Sequence, residues 1–461
     1  MDKSNPVDSK DSFPYPFTLA IDDSDTPWGG CTTHLAWLLL RELSYYIILG
    51  DYPLLVRLNP VVPRKTRGNA AVVIRGYSRV PQEELLEKAI SLAESYSRRR
   101  PPGKGPGIAL YRDVDAWRVP LLRRLYLRAL RTYIPRDTID EIARRLDLEV
   151  TGGSGVVGAT ASLAALAPWD PYTYELIAYR REEYMDRERC VERNPGLASE
   201  ESLCSFANYD LLQGKLASSP GGPDPVLAGF RGRDPSCLGK LSSLLCEEPA
   251  GWVLYRSNQH TGMPGEGPGS LNPRPYNYVR LKGVVKALPR ESPGGHVFVD
   301  LETGWGDVTV AFYRETGPLR DAARMLRPGD MIVVEGGVIP RSKGPTLAVD
   351  VMYVEKLAGE IHYVAPRCPR CGSRMKSMGR GKGYRCRKCG FRNPSASPIP
   401  IVSPRRLMSG RYTPSVSSAR HLTRFNWWSP STGFEPQALR VDCVASYGPE
   451  PPLLAYGRSS C

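Results

Sequence analysis

The sequence predicts a multidomain protein that combines α/β units with a β-barrel and a C-terminal zinc ribbon. Strand-like and helix-like segments alternate in the first half of the chain, which is typical of α/β units. Five strand-like runs with one short helix follow, and two Cys-x-x-Cys pairs come next. At 461 residues the chain is longer than one ordinary domain of about 100–200 residues, so several domains are expected.

The first α/β unit is expected over residues 14–150. Its opening strand ends in a cluster of acids, and a helix follows, with Thr32 or Thr33 as a natural N-cap. The predicted strands are Phe17–Ile21, Ala70–Ile74 and Ile108–Tyr111, and the predicted helices are His34–Leu43, Gln82–Tyr96 and the stretch 115–147.

A second α/β domain is expected over residues 151–272. It starts at a glycine-rich turn, Gly152–Gly155, which lacks the lysine of a phosphate-binding P-loop and is expected to serve helix–strand packing. Strands are predicted at Tyr172–Tyr179 and Gly251–Ser257, on either side of a loop-rich region.

Residues 274–358 have the strand order of an OB-fold barrel. A short helix, Pro318–Leu326, falls between the third and fourth strands, as in that fold. Another small β-barrel remains an alternative. The predicted strands are Tyr278–Ala287, Val297–Leu301, Val308–Tyr313, Met331–Val338 and Ala348–Val354.

The zinc ribbon is predicted over residues 364–395. Cys368 and Cys371 form one pair and Cys386 and Cys389 the other, which provides four thiolates for tetrahedral Zn²⁺. Four cysteine ligands leave no open coordination position, so a structural site is favoured over a catalytic one. Cysteines that bind no metal are the weaker alternative.

The excess positive charge is confined to the region around this ribbon. No Asp or Glu occurs between Ile361 and Phe434, against fifteen Lys and Arg, in a chain of net charge +14. A block of one sign indicates a polyanionic partner such as RNA, although a solvated solubility tail remains possible. The candidate phosphate contacts are Arg367, Arg370, Arg374, Lys376, Arg385, Arg387 and Lys388.

The candidates for stacking on bases are Tyr276, Tyr278, Trp305 and Phe312, for each of which ordinary barrel packing is an equal alternative.

The acidic turn after the first strand is the candidate catalytic site. Asp22, Asp23 and Asp25 repel one another unless a cation such as Mg²⁺ neutralises them, and a nucleoside triphosphate would accompany that cation. The helix that starts near Thr32 offers free N–H groups to a phosphate, and a threonine hydroxyl there could accept a phosphoryl group. A solvated acidic turn is the alternative. No GxxxxGK[ST] sequence is present, so an ATP site would not be a standard P-loop.

Other features limit the class of protein. No apolar run approaches the ~20 residues of a membrane span, so no membrane association is expected. Residues 1–13 are polar and are expected to be a disordered extension, and residues 396–461 to form a basic Pro/Ser/Arg-rich tail with little periodicity. The seven cysteines outside the ribbon are scattered and odd in number, which fits a reducing cytoplasm and not a disulfide framework.

Six motifs, in order along the chain, resemble those of the archaeal tRNA(Ile) 2-agmatinylcytidine synthetase family, TiaS. They are Asp22–Thr33, Leu55–Pro60, Lys65–Asn69, Thr173–Arg180, Phe206–Asp210 and Arg256–Gln259. The resemblance implies a kinase-like domain, a ferredoxin-like domain, an OB-fold and a zinc ribbon. It also implies ATP- and Mg²⁺-dependent activation of the 2-oxo group of the wobble cytidine in a CAU-anticodon isoleucine tRNA. Agmatine would then displace the activated oxygen, with AMP and diphosphate as products, and the tRNA would read AUA.

The resemblance also assigns roles to residues. Thr32 maps to the threonine that becomes phosphorylated, and Asp22, Asp23 and Asp25 map to the aspartates that hold Mg²⁺ and ATP. The ATP site is expected to include Ser24, Thr33, Lys65 and Arg67 as well. The candidate partners of the agmatine guanidinium are Asp170, Glu175 and Asp210, although Glu175 could instead pair with Arg180. Two positions depart from the family: Ser24 replaces Thr, and Gly30 replaces a bulky residue, which is expected to loosen the loop before Thr32.

Two other classes of protein remain open. An OB-fold with a zinc ribbon also occurs in non-catalytic proteins that bind single-stranded nucleic acid, but that class leaves the first 270 residues unexplained. An accessory subunit of a tRNA amidotransferase or thiolase is a further candidate, but the chain has no SGGxDS loop.

Overall fold

The computed structural model describes residues 12–26, 29–63, 65, 68–97, 105–192, 205–217, 219–263, 271–342, 344–359, 361–402 and 404–456. The expected disordered extension at 1–13 therefore lies almost entirely outside the described residues, as does Arg67. Across the described ranges, no helix combines the length and the apolar character needed to cross a bilayer.

The first two units share one large sheet. The strands of the first unit are β1 Tyr15–Asp22, β2 Ile47–Leu49, β3 Leu54–Arg57, β4 Ala70–Ser78, β5 Gly107–Tyr111 and β6 Glu149–Gly152. Those of the second are β7 Thr173–Arg180, β8 Tyr209–Asp210, β9 Lys215–Leu216, β10 Val226–Gly232 and β11 Pro249–Ser257. Of these, β8 and β9 pair with each other in a separate two-stranded sheet. The order across the sheet is β10-β7-β11-β3-β4-β1-β5-β6, and β2 also pairs with β4. Parallel pairing of β11 with β3, where Arg256 lies opposite Leu54, joins the two units.

Helices cover both faces of this sheet, which separates two apolar cores. They are α1 Thr32–Leu43, α2 Gln82–Tyr96, α3 Pro120–Ala129, α4 Arg136–Leu146, α5 Val156–Ser162 and α6 Pro235–Leu238. Helix α1 packs with the core that contains Phe17, Leu55 and Trp252, and α3 with the core that contains Ala20 and Val73. Helix α5 follows the glycine-rich turn and contacts β1 and β5, as the packing role predicted for that turn requires.

The third unit is a closed five-stranded barrel. Its strands are β12 Tyr278–Val285, β13 Arg290–Glu291, β14 Val297–Thr303, β15 Gly306–Phe312, β16 Met331–Ile339 and β17 Thr346–Lys356, of which β13 only extends the edge at β14. They follow the order β12-β16-β17-β15-β14, and β14 returns to pair with β12. Helix α7, Pro318–Arg324, lies between β15 and β16, where the OB-fold interpretation places it.

The ribbon is attached to the barrel by a two-stranded stem, and the chain then returns to the large sheet. The stem pairs β18 Ile361–Val364 with β22 Ile399–Val402, and the ribbon itself contains β19 Lys376–Ser377, β20 Tyr384–Arg385 and β21 Arg392–Asn393. Beyond the stem come β23 Gly410–Tyr412, α8 Val441–Val444 and β24 Ala445–Ser446, which pairs with β11 as the tenth strand of the large sheet. Phe434, Leu439 and Val444 join the core around α1, so this part of the predicted tail is an ordered part of the fold.

Two local predictions are wrong. The N-cap of α1 is Cys31, because Thr32 is already the first helical residue and no side chain caps the helix. A disulfide joins Cys190 to Cys246, and Cys237 and Cys443 are also disulfide-bonded, although no disulfides were expected. The scattered spacing of these residues hid the bridges, because their partners meet only through the tertiary fold. Disulfides also occur in intracellular proteins of hyperthermophilic archaea, so they do not identify an oxidising compartment.

Candidate active site

The acidic turn is held between the end of β1 and the start of α1. The amide of Ser24 donates to the hydroxyl oxygen of Thr32 at 3.2 Å, which ties the turn to the first residue of the helix. Asp23 adopts φ 59°, a left-handed conformation that Asp tolerates better than most residues. Gly30 has φ 93°, and a Cβ atom there would lie 2.9 Å from the carbonyl oxygen of Ser24. In this conformation a glycine at position 30 is required sterically.

Asp22 is buried beneath the helix that begins the second unit. A Cβ atom on Gly158 of α5 would lie only 1.7 Å from its Oδ2 atom, so the absent side chain makes room for the carboxylate. The backbone amide of Asp23 donates to Asp22 Oδ1 at 2.6 Å. Burial, together with the charges of Asp23 and Asp25, raises the pKa of Asp22 well above its usual value.

Three tyrosine hydroxyls fix the start of α1. The amide of Cys31 donates to Tyr96 Oη at 3.0 Å, and the same hydroxyl lies 2.9 Å from His34 Nδ1. The hydroxyls of Tyr179 and Tyr255 both donate to the carbonyl oxygen of Thr33. Because these tyrosines come from α2, β7 and β11, both units of the sheet position the helix start.

A cavity of about 230 Å³ opens beside Thr32. It is closed on one side by the turn and on the other by strands β3, β7 and β10. Its polar and charged lining consists of Asp25, Thr32, Thr33, Arg57, Asn69, Glu175, Ser219, Asp224, Arg231 and His421. The cavity thus combines a hydroxyl at a helix start with both cations and carboxylates.

Two arginines share one carboxylate within this cavity. Glu175 Oε2 lies 3.6 Å from Arg57 Nη2, and Glu175 Oε1 lies 3.9 Å from Arg231 Nε. All three side chains are largely buried. Glu175 Oε2 is buried with no hydrogen bond to any described residue. Burial lowers the pKa of Arg57, although Glu175 opposes this shift. The trio retains one net positive charge, which suits a bound phosphate.

The three carboxylates proposed for agmatine lie in different environments. Asp170 forms a two-pronged ion pair with Arg123 and also accepts from the amide of Ala167, and Asp210 accepts from the amide and hydroxyl of Ser417. Neither Asp170 nor Asp210 lines the cavity, whereas Glu175 does. The alternative that Glu175 pairs with Arg180 is wrong, because Arg180 binds Glu247.

Only some of the other residues expected at the ATP site line the cavity. Asp25, Thr32 and Thr33 line the cavity, and Lys65 lines a neighbouring groove that meets the cavity at Gly68 and His421. Asp23 accepts from the hydroxyl of Ser154, and the hydroxyl of Ser24 is buried and has no hydrogen-bond partner among the described residues. The turn therefore presents Asp25 to the cavity, while Asp22 lies behind it.

The four ribbon cysteines fit a zinc ion. Their Sγ atoms all lie within 4.8 Å of one another, with Cys368 3.5 Å from Cys389 and Cys371 3.4 Å from Cys386. A tetrahedral site with Zn–S bonds of about 2.3 Å requires S···S edges of about 3.8 Å. Gly372 and Gly390 follow the two pairs at φ 73° and 74°, which gives the tight turns expected there. In the part of the chain that the structure describes, no other group of three or more potential ligands clusters in this way.

The seven basic residues proposed to contact RNA are all solvent-exposed around this centre. Among the proposed stacking residues, Tyr278 and Phe312 are buried, with 5% and 0% of their surface exposed, whereas Trp305 is 47% exposed. Burial prevents Tyr278 from offering its ring to a base in this structure. Tyr276 is half-buried, so Trp305 is the most exposed of the four stacking candidates.

Arg57, Asp224, Arg231 and His421 belong to the cavity but were not among the predicted site residues. Arg57 lies within the motif Leu55–Pro60, so a strand-end arginine in a family motif was an available signal. Asp224, Arg231 and His421 come from segments far apart in the sequence, and no local pattern distinguishes them.

Comparison with known proteins identifies the family. The TiaS TCKD domain matches residues 18–153, the TiaS FLD domain 153–263, an OB-fold nucleic acid binding domain 279–355 and the TiaS C-terminal zinc ribbon domain 365–407. The isoleucine-tRNA 2-agmatinylcytidine synthetase TiaS of Acidilobus saccharovorans is 44% identical over 432 residues, which cover 93% of this chain and 98% of that protein. The chain belongs to the TiaS family.

Further TiaS proteins and structures are similar over most of their length. TiaS of Thermofilum pendens is 38% identical, over 88% of this chain and 93% of that protein. A crystal structure of TiaS in complex with its isoleucine tRNA and ATP matches with a TM-score of 0.78 and 28% identity, over 92% of this chain and 99% of that one. Apo TiaS matches with a TM-score of 0.80 and 28% identity, over 92% of this chain and 100% of that one. The predicted fold class and family are confirmed.

Proposed function

We propose that this chain uses ATP to conjugate agmatine to carbon 2 of the wobble cytidine in the CAU anticodon of isoleucine tRNA. The modified tRNA would read AUA as isoleucine. The observation that carries the proposal is the cavity in which the Thr32 hydroxyl meets Arg57, Arg231 and Glu175 at the start of α1. Membership of the TiaS family, and the relatives solved with isoleucine tRNA, ATP and agmatine, support the same reaction.

The phosphate-binding part of the cavity is assigned to α1 and the two arginines. The start of α1 offers an anion the positive end of the helix dipole and the backbone N–H groups of its first turn, which have no acceptor within the helix. Arg57 and Arg231 add charge-assisted donors, and Glu175 holds both near one place. Thr32 is then positioned to receive a phosphoryl group, which is the role that the family resemblance assigns to it.

Mg²⁺ is proposed to accompany the triphosphate at Asp25 and Asp22. The residues fit a divalent cation, because Asp25 lines the cavity and Asp22 is a buried carboxylate directly behind it, whose pKa is raised by burial and by the charges of Asp23 and Asp25. The ion would offset the negative charge of the phosphates during transfer.

The agmatine guanidinium is proposed to bind Asp224, with Glu175 nearby. Asp224 is 4% exposed and lines the cavity, and its Oδ1 atom accepts from the amide of Val226, which orients the carboxylate. Glu175 adds a second buried carboxylate to the same cavity, where its Oε2 atom lies 3.6 Å from Arg57 Nη2. Asp170 and Asp210 are not proposed for this role, because Arg123 and Ser417 bind them outside the cavity.

The ribbon and the barrel are proposed to bind the tRNA. The ribbon presents exposed Arg and Lys side chains to the phosphate backbone, and the zinc ion would hold their scaffold in shape. Because its substrate would be a cellular tRNA, the protein is proposed to be cytoplasmic.

The reaction can be tested with α-labelled ATP, agmatine and a CAU-anticodon transcript. AMP should accumulate only when the transcript is present, and Asp224→Asn should raise the KM for agmatine tenfold or more, since an ion-paired hydrogen bond contributes about 1.5–3 kcal/mol. The exposed-site variant Glu42→Gln serves as a control. Retention of tRNA without AMP release would instead indicate a non-catalytic RNA-binding protein.

A further inference from the structure

His421 enters the cavity from a segment that lies beyond the zinc ribbon. Residues 420–424, here called the return segment, dock on residues 258–262 after β11. The amide of His260 donates to the carbonyl oxygen of His421 at 2.6 Å, and that of Gly262 to the carbonyl oxygen of Leu422 at 3.1 Å. Backbone hydrogen bonds therefore set the position of His421, which leaves its side chain available for another role.

The imidazole of His421 borders both the Thr32 cavity and the neighbouring groove. A Cβ atom on Gly68 would lie 2.6 Å from its Nε2 atom, so the missing side chain at Gly68 leaves room for this edge of the ring. No described residue forms a hydrogen bond with a ring nitrogen of His421. His260 differs, because its Nδ1 atom lies 2.8 Å from the carbonyl oxygen of Thr423.

Burial and the cations around His421 keep its ring neutral. Burial is the main cause that lowers its pKa well below the usual value, and nearby cations add to the shift. The neighbouring cationic or titratable groups are Arg57, Arg231, His260 and Lys65, and the carboxylates that line the cavity are Asp25, Glu175 and Asp224. The neutral ring is not bound by any described residue and can accept a proton once the negative charge of bound phosphates offsets the cations around it.

We propose that His421 accepts the proton that agmatine must lose before its amine can attack the activated cytidine. This role rests on the proposed function. An alkylamine with a pKa of about 10 arrives as an ammonium ion, which has no lone pair for attack. One N–H bond breaks and its proton moves to His421 Nε2, and the freed electron pair forms the bond from nitrogen to carbon 2. The C2–O bond breaks, its electron pair leaves with the oxygen on the activating phosphoryl group, and a second amine proton passes to solvent.

The test measures AMP release and agmatine conjugation separately in a His421→Gln variant. Glutamine keeps a polar side chain of similar length but cannot take up a proton. We expect tRNA-dependent AMP release to stay within about twofold of wild type, while agmatine conjugation falls by about 100-fold or more, the range for a lost general base. Conjugation by the variant should recover as pH rises, because the free-amine fraction increases about tenfold per pH unit below pH 10. Added imidazole should partly restore conjugation by His421→Ala.

This role would be overturned if AMP release and conjugation fell equally, or if the conjugation defect were the same at every pH. Failure of imidazole to rescue His421→Ala would also overturn it. Unchanged conjugation in His421→Gln would do the same. Retained AMP release shows that each variant is folded. If wild-type protein itself forms no conjugate, the failure lies with the proposed function and not with His421 alone.

Discussion

The hydroxyl of Tyr179 lies 2.8 Å from the carbonyl oxygen of Thr33, and it is also 3.1 Å from the hydroxyl of Tyr255. Tyr255 donates to the same carbonyl at 3.0 Å. Burial raises the pKa of both phenols, so both remain protonated donors. Because Tyr179 and Tyr255 lie on strands of the second unit, they connect that unit to the first turn of α1, where Thr32 is held.

Removing the Tyr179 hydroxyl should loosen the helix start. We expect Tyr179→Phe to lower the free energy of unfolding by about 1 kcal/mol, the usual net contribution of one hydrogen bond. AMP release should slow by about tenfold, since Thr32 would be less well positioned. Chemical denaturation and steady-state kinetics measure the two effects, with Tyr45→Phe as a surface control because Tyr45 is 70% exposed. An unchanged rate would show that the hydroxyl serves stability alone.

The contact between Gly158 and Asp22 predicts that Gly158→Ala is highly damaging. The new methyl group would overlap Asp22 Oδ2, so the carboxylate or α5 must move. AMP release should fall by at least tenfold. Gly304→Ala is the matched control, because a Cβ atom there meets nothing within 4 Å. Equal activity of the two variants would contradict the importance of this packing.

The raised pKa of Asp22 predicts a pH-dependent gain in stability for Asp22→Asn. The unfolded carboxyl ionises near pH 4, while the folded one resists ionisation, so the wild type loses stability as pH rises from about 4 to the folded pKa. The variant should gain about 1.4 kcal/mol per pH unit over that window, and little below pH 4. It should also lose AMP release with nearly unchanged tRNA affinity. Denaturation curves at pH 4 and 7, without nucleotide, measure the gain. Loss of tRNA binding with AMP release intact would refute the role given to Asp22.

The paired strands of the stem allow the ribbon to be deleted without breaking the chain that follows it. Val364 lies opposite Ile399, so residues 365–398 can be replaced by a two-residue Asn-Gly turn that keeps the return segment in place. The shortened protein should bind the transcript more weakly, and the slope of log affinity against log salt should fall by about 0.7–0.9 per lost phosphate contact. Filter binding at several salt concentrations measures this. An unchanged slope would place the phosphate contacts elsewhere.

Local patterns predicted much of this fold because they depend on nearby residues. The apolar run at Phe17–Ile21, the amphipathic helix at Gln82–Tyr96 and the two cysteine pairs each correspond to structure at those residues. The cavity was harder to predict, because Glu175, Asp224 and His421 meet only after the strands pair and the chain returns from the ribbon. The burial of Tyr278 likewise depends on how the barrel packs against its neighbours, which a single aromatic residue in a sequence does not reveal.

The most direct test is nucleoside analysis of a CAU-anticodon transcript after incubation with the purified protein, ATP and labelled agmatine. We predict one agmatine per tRNA, attached to the wobble cytidine and absent when ATP is omitted or when Thr32 is replaced by Ala. Recovery of an unmodified wobble cytidine from a transcript that the protein has bound would contradict the proposed reaction.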